Sequence, residues 1–216
     1  MRILVKLTTS LLLASVILAL PVSAAASVTT QATIQAEIPP SPYKVLESIG
    51  SKLFSRIAAN QQEIKKFPQL MQVIVEEELM PSIDYRYASY RILGKHLRKT
   101  TKEQRAKFVS SMRSNLARTY AHALMQYKNQ QVIFEAEKAT KGKKIVAVRT
   151  QIIDDNKPTI NVVFKMRQNK KTAQWKAFDM VVEGISLLSS KKAELSKRLA
   201  KQGVEQVTIE LAALTR

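Results

Sequence analysis

The chain has no cysteine. Disulfides, a thiolate metal site and lipid anchoring through a modified cysteine are therefore excluded. Histidine occurs only as His96 and His122, with no His-x-x-x-His spacing, so no metal site is legible. With 5 glycines there is no glycine-rich phosphate loop, and no serine sits in a G-x-S-x-G turn. Glu76–Glu77–Glu78 are consecutive on an expected helix and point in different directions, which reads as a solvated acidic face. Asp154–Asp155 precede Asn156 in an expected turn, as turn residues commonly do. His122, on the edge of a helical stripe, reads as structural. Nothing here assembles an acid–base pair, and the expectation is a protein that is not an enzyme.

Acidic residues are also scarce: 17 Asp and Glu stand against 35 Lys and Arg, a net charge of +18. In a cytosolic chain that balance would suggest nucleic acid. The N-terminus argues against it. Arg2 and Lys6 precede an uncharged apolar run, Leu11 to Leu20, and Pro21-Val22-Ser23-Ala24 offers a small-residue cleavage site. This is the pattern of a secretory signal peptide over residues 1–24, cut after Ala24 or within the next two alanines. Its apolar run is short of the ~20 residues a span needs. No other stretch approaches a transmembrane length. For an exported chain, anionic membrane surfaces, phosphate head groups or acidic protein patches fit the charge. A solvated basic face is the plainer reading of the scattered lysine doublets.

Residues 25–40 lack a period, end in two prolines and read as a flexible lead. One domain is expected over 41–214. Ser41-Pro42 is a cap and first turn, followed by Val45, Leu46, Ile49, Leu53, Phe54 and Ile57 on one helical side. A second helix is expected with Leu70, Val73, Ile74 and Leu79 inward and Pro81 at its end, then a short third one capped by Asp84. Thr101 with Gln104 forms a capping-box signature for a long helix running to Tyr127, its stripe carrying Phe108, Met112, Leu116, Tyr120 and Leu124. Such a helix is expected to lie against a sheet. After Lys128 the period becomes two. Four strands follow: Val132–Ala136, Lys144–Ile153, Ile160–Met166 and Trp175–Val182, joined by short turns into an antiparallel meander. Glu183–Gly184 breaks it. A helix with Leu188, Leu195 and Leu199 stops at Gly203, and a last segment carries Val207 and Leu211. Helices first, then strands, makes the class α+β.

Both sheet faces are apolar: Ile145 beside Val146, Ile152 beside Ile153 and Val162 beside Val163 must point oppositely. Helices on both faces, or a curved sheet around an apolar cavity, satisfy this equally.

Arg91-Ile-Leu-Gly94-Lys95, Arg98, Lys99-Thr100-Thr101, Glu103-Gln104-Arg105 and Phe108 resemble the MlaC family of periplasmic toluene-tolerance proteins. So do Thr119-Tyr120 with Ala123-Leu124, the block Trp175-Lys176-Ala177-Phe178-Asp179 through Val182-Glu183-Gly184-Ile185-Ser186-Leu187, and Pro81 with Asp84. The resemblance spans about residues 41–214 and departs from the family pattern at His96-Leu97 and Ser190-Lys191-Lys192. It implies a periplasmic phospholipid carrier, monomeric, with lipid as cargo and no cofactor. Its partners would be an outer-membrane lipoprotein–porin complex and an inner-membrane ABC transporter with an MCE subunit. The helical N-terminal half, the four-stranded sheet and the C-terminal helices would then surround an apolar lipid cavity. On the sheet side its expected lining is Val146, Val148, Ile160, Val162, Phe164, Phe178 and Met180, with the choice of face open. Leu93, Leu97, Leu116, Tyr120 and Leu124 would face them from the helices. Arg91, Lys95 and Arg98 are candidates for the head-group phosphate, or ordinary solvated charges. The competing reading is an exported basic adaptor with a filled core and no cavity.

Overall fold

Ser41 accepts a hydrogen bond from the Lys44 backbone at 3.3 Å, and Pro42 fills the first turn, so α1 (Pro42–Ala59) starts where the sequence places it. The computed structural model describes residues 39–213; the signal peptide, nearly all of the lead and Leu214 lie outside them. α1 buries Leu46, Leu53 and Ile57.

The expected second helix is interrupted. It begins as expected after the connection at Phe67 and Pro68, which parts α2 (Gln61–Lys66) from α3 (Gln69–Ile74), but α3 then runs into a π-helical turn (Val75–Leu79) and a 3-10 turn containing Pro81. The wider π turn shifts the helical period. Ile74, Val75 and Met80 are buried, whereas Val73, expected inward, is exposed. The three glutamates do not all point apart, and each meets an arginine: Glu77 and Glu78 converge on Arg56 of α1 at 2.5 and 2.6 Å, and Glu76 pairs with Arg113. The acidic run is a clamp between two helices, which corrects its reading as a solvated face.

Asp84 caps α4 (Tyr85–Leu93) by accepting from the Tyr87 backbone at 3.0 Å. A 3-10 turn (Gly94–Lys99) leads to α5 (Lys102–Leu124), where Thr101 and Gln104 complete both halves of the capping box. α5 ends three residues before Tyr127. Its Phe108 and Met112 are buried with Ile92, Leu93, Leu195, Leu199, Val207 and Leu211 in an all-helical cluster. Its Ala117 and Ala121 belong instead to the cluster that joins α1, α2 and α3 to the sheet. The close neighbours of α5 are α3, α4 and α6; α1 is the helix that approaches β1 and β2 most directly, while β4 is met chiefly by α6 and α4. The long helix is thus a strut between two cores rather than a lid lying flat on the sheet.

The sheet is an antiparallel meander, β1 (Gln131–Phe134), β2 (Ile145–Asp154), β3 (Lys157–Gln168), β4 (Trp175–Val182) and β5 (Ile185–Ser186), in that spatial order. The fifth strand escaped the sequence reading. Glu183 and Gly184, taken as a break, have φ of 46° and 82°, as a two-residue hairpin turn requires, and they return the chain onto β4. The register puts Phe134, Thr150, Val162 and Val182 in one row across four strands. Val148, Phe164 and Met180 flank it on one side, and Val132, Ile152 and Ile160 on the other. A bulge opposite Lys165 and Met166 leaves Phe178 as the extra residue of β4.

α6 (Leu187–Ala213), kinked at Gly203 with φ of 79°, is tied to the sheet by Asp179. This buried carboxylate accepts from Lys165 Nζ at 2.9 Å, Ser186 Oγ at 2.8 Å and the Leu188 backbone N–H at 3.0 Å. Asp179→Ala would strand those donors. It is expected to cost about 3 kcal/mol, read as a lowered denaturant midpoint with an unchanged slope.

Candidate functional site

Not all apolar side chains packed on the sheet-side core are fully covered. Phe54, Leu116, Tyr120, Leu124, Tyr127, Phe134 and Phe164 pack against it yet keep accessible surface. They come from α1, the C-terminal half of α5, its following loop, β1 and β3. Phe54 and Tyr127 stack with ring centroids 4.6 Å apart. On the sheet, Met180 and Ile152 are likewise only half-buried, whereas Val146, Val148 and Met166 toward the other end are closed off. One end of the helix–sheet interface is packed solid; the other carries a band of partly accessible apolar groups.

α1 comes close to β1 because Gly50 faces Phe134. A Cβ at Gly50 would overlap Cζ of that ring and stand 3.1 Å from Cε1. Tyr120 reports on the same region. Burial pushes its hydroxyl up to about 12, with the charge of Asp179 a smaller contribution, although its side chain keeps accessible surface. Tyr120 is thus one of the partly accessible apolar side chains packed on the sheet-side core. A cleft of about 510 Å³ also lies over β1–β3. Ile133, Arg149, Gln151, Asn161 and Val163 line it from the sheet's other face, beside Phe134, Thr150 and Val162. A second cleft, about 460 Å³, is lined by Pro39, Pro40, Trp175 and the Thr140–Lys144 turn.

Of the sheet residues expected to line a cavity, Val146, Val148, Ile160, Val162, Phe164 and Met180 share one face by register. Val146 and Val148 lie at its packed end and Ile160, 40 % exposed, at the opposite rim. Phe178 is elsewhere. Its ring meets Tyr87 edge-on at 5.1 Å, in a group that includes Arg167, stacked 4.4 Å from the same ring and paired with Asp84 at 2.6 Å. From the helices, Leu116, Tyr120 and Leu124 join the band. Leu93 is buried in the all-helical cluster, and Leu97 packs on that cluster too. Arg91, Lys95 and Arg98 are exposed before the start of α5, roughly 35 Å along it from Leu124. His122, read as structural, is exposed. Phe54, Phe134, Tyr127 and Thr150 complete the region without having been singled out. The alternation of β1 was the available signal for Phe134; Thr150 read simply as a β-branched strand residue.

Among the described residues no three His, Cys, Asp or Glu side chains converge as metal ligands, and no helix is long and apolar enough to cross a membrane. The fold is α+β, with a helical layer that leaves apolar side chains on one sheet face partly accessible. The same fold is found in the phospholipid-binding protein from Ralstonia solanacearum, solved in complex with a phospholipid: TM-score 0.71 at 19% identity, covering 82% of this chain and 99% of that one. The family model described as MlaC protein matches residues 47–213, and the chain belongs to the MlaC family. It is 36% identical over 166 residues to the intermembrane phospholipid transport system binding protein MlaC of Haemophilus influenzae, covering 76% of this chain and 78% of that protein. The toluene tolerance protein ttg2D of Pseudomonas putida is 26% identical over 147 residues, covering 68% of this chain and 67% of its own.

The Tyr120 environment gives a pH signature. Its folded-state value lies above the ordinary 10.0, so the unfolded chain loses this proton first. Stability contributed by the neutral phenol is complete below pH 10 and declines as pH rises through 12, by up to about 3 kcal/mol. Tyr120→Phe is expected to remove that part of the alkaline decline, measured by urea unfolding of both proteins across this range.

Proposed function

We propose that the protein is a periplasmic phospholipid carrier, moving lipid between an outer-membrane lipoprotein–porin complex and an inner-membrane ABC transporter with an MCE subunit. The supporting observation is the band of partly accessible apolar side chains enclosed between α1, α5 and the sheet, in a chain of the MlaC family. The named activity of the Haemophilus influenzae relative and the phospholipid in the Ralstonia solanacearum structure point the same way. Physical chemistry supports the assignment. Burying acyl chain contributes ~0.8 kcal/mol per methylene, so two long chains resist leaving a bilayer by on the order of 25 kcal/mol. A lipid crosses water at a useful rate only if a protein replaces the bilayer around its chains. Such a protein requires apolar lining and no reactive group.

Affinity in this reading resides in the chains, held between Phe134, Val162, Phe164 and Met180 on the sheet and Leu116, Tyr120 and Leu124 on α5. Arg91, Lys95 and Arg98, set apart from this band, contribute to the basic surface. Discrimination between head groups is therefore weak. The adaptor reading, with a filled core, draws on the closed end of the interface around Val148 and Met166.

Native mass spectrometry of the protein purified from the periplasm without detergent is expected to show a stoichiometric adduct of phospholipid mass. Val162→Asp is expected to remove the adduct while circular dichroism stays that of a folded protein. A bare mass in the unsubstituted protein, with no uptake from liposomes, would establish the adaptor reading. Full lipid occupancy in Val162→Asp would place the cargo on the other sheet face.

A further inference from the structure

We infer that the Thr150 hydroxyl holds an acyl ester carbonyl of the bound glycerophospholipid, so that the site reads the ester linkage as well as the chains; this rests on the carrier reading. Thr150 is 4 % exposed, and its Oγ1 is buried with no hydrogen-bond partner. It stands in the middle of the sheet row between Phe134 and Val162. The flanking rows are Val148, Phe164 and Met180 on one side and Val132, Ile152 and Ile160 on the other. Among these positions Thr150 is the only polar side chain.

Packing does not require the hydroxyl. Valine has nearly the same shape and already serves at 146 and 148 on the same strand face. A buried hydroxyl without a partner is destabilising, because it gives up water and gains nothing. Buried polar groups of this kind are ordinarily satisfied, and an exception calls for a specific partner. The chemistry of the cargo supplies one. When both chains of a diacyl lipid enter an apolar recess, the ester carbonyls at their heads follow. These oxygens accept hydrogen bonds and have no donor of their own. An uncharged donor in an otherwise apolar wall satisfies the carbonyl and the hydroxyl together. It also leaves the charged head group outside and unread. Thr150 stands one sheet row in from the exposed Ile160. An ester beside it, with the head group at that rim, leaves the chains to run across the strands along the partly accessible Phe134, Phe164 and Met180 rather than into the packed end at Val148.

The test uses the protein stripped of lipid and two phosphatidylcholines with matched chains, one diester and one diether, in direct competition. The unsubstituted protein is expected to prefer the diester about fivefold, the ordinary value of one neutral hydrogen bond. Thr150→Val is expected to bind both equally, at the level of the diether, and Thr150→Ser to keep the preference. Lipid-free Thr150→Val is expected to melt about 2–4 °C higher, since a methyl group replaces an unsatisfied hydroxyl. Ester preference retained in Thr150→Val, or absent from the unsubstituted protein, overturns the assignment. Uptake of neither lipid by the unsubstituted protein overturns the carrier reading itself, and this assignment with it.

Discussion

α5 is shared between two cores, and the rest of the structure depends on that division. Its first turns bury Phe108 and Met112 among α4 and α6. Its later turns present Ala117 and Ala121 to the core built on α1, α3 and the sheet, with Leu116 in contact with both. A helix satisfied on two sides is not free to settle onto a third surface. The small residues that let it pack beside α3 also contribute little bulk toward the sheet. Tyr120 and Leu124 therefore reach across with accessible surface remaining, and α1 becomes the helix that meets β1, through the close approach of Gly50 and Phe134.

Polar contacts hold the boundaries of this recess while leaving its wall apolar. Glu76 ties the π turn to Arg113 of α5, and Glu77 and Glu78 tie it to Arg56 of α1. These pairs are partly exposed, and each contributes modestly to stability. Their geometric effect is larger, since the two helices that flank the recess are fixed to one turn. Asp179 does the same from below, joining β3, β4, β5 and the start of α6 through three accepted hydrogen bonds. Rigid margins around an incompletely filled interior favour a binding site, because the lining does not collapse into the space.

The local rules of the chain were legible in its sequence. Ser41, Asp84 and Thr101 cap the helices they announce, and β4 has the predicted limits. Errors arose where tertiary contacts overrode local pattern. α3 turned Met71 and Ile74 inward and left Val73 outside. The glutamates found arginines distant in sequence, and Glu183 adopted a positive φ that let a fifth strand form. The candidate site was legible as a composition but not as a set. Val162, Phe164 and Met180 share a face because register follows the period of two. The bulge in β4 sends Phe178 to Tyr87, and no sequence pattern announces a bulge there. Leu93 and Leu97 fit the helical stripe equally well for either core; only the assembly of three helices assigns them to the one without a sheet.

An accessible apolar band has a thermodynamic meaning. Each Å² of it left wet forgoes about 25 cal/mol of the burial that stabilises the fold, so a sequence selected for stability alone would cover the band with larger apolar side chains. The packed end around Val148 and Met166 shows that this chain builds a dense core where it closes. On the proposed carrier function the open end is a division of labour, in which part of the core is supplied by a molecule that comes and goes. Binding and folding become linked, since whatever occupies the band stabilises the native state in proportion to its concentration over its dissociation constant. A hydroxyl placed in such a wall lowers the stability of the empty protein and gives one kind of occupant an advantage. The same side chain that weakens the protein alone makes it selective when loaded.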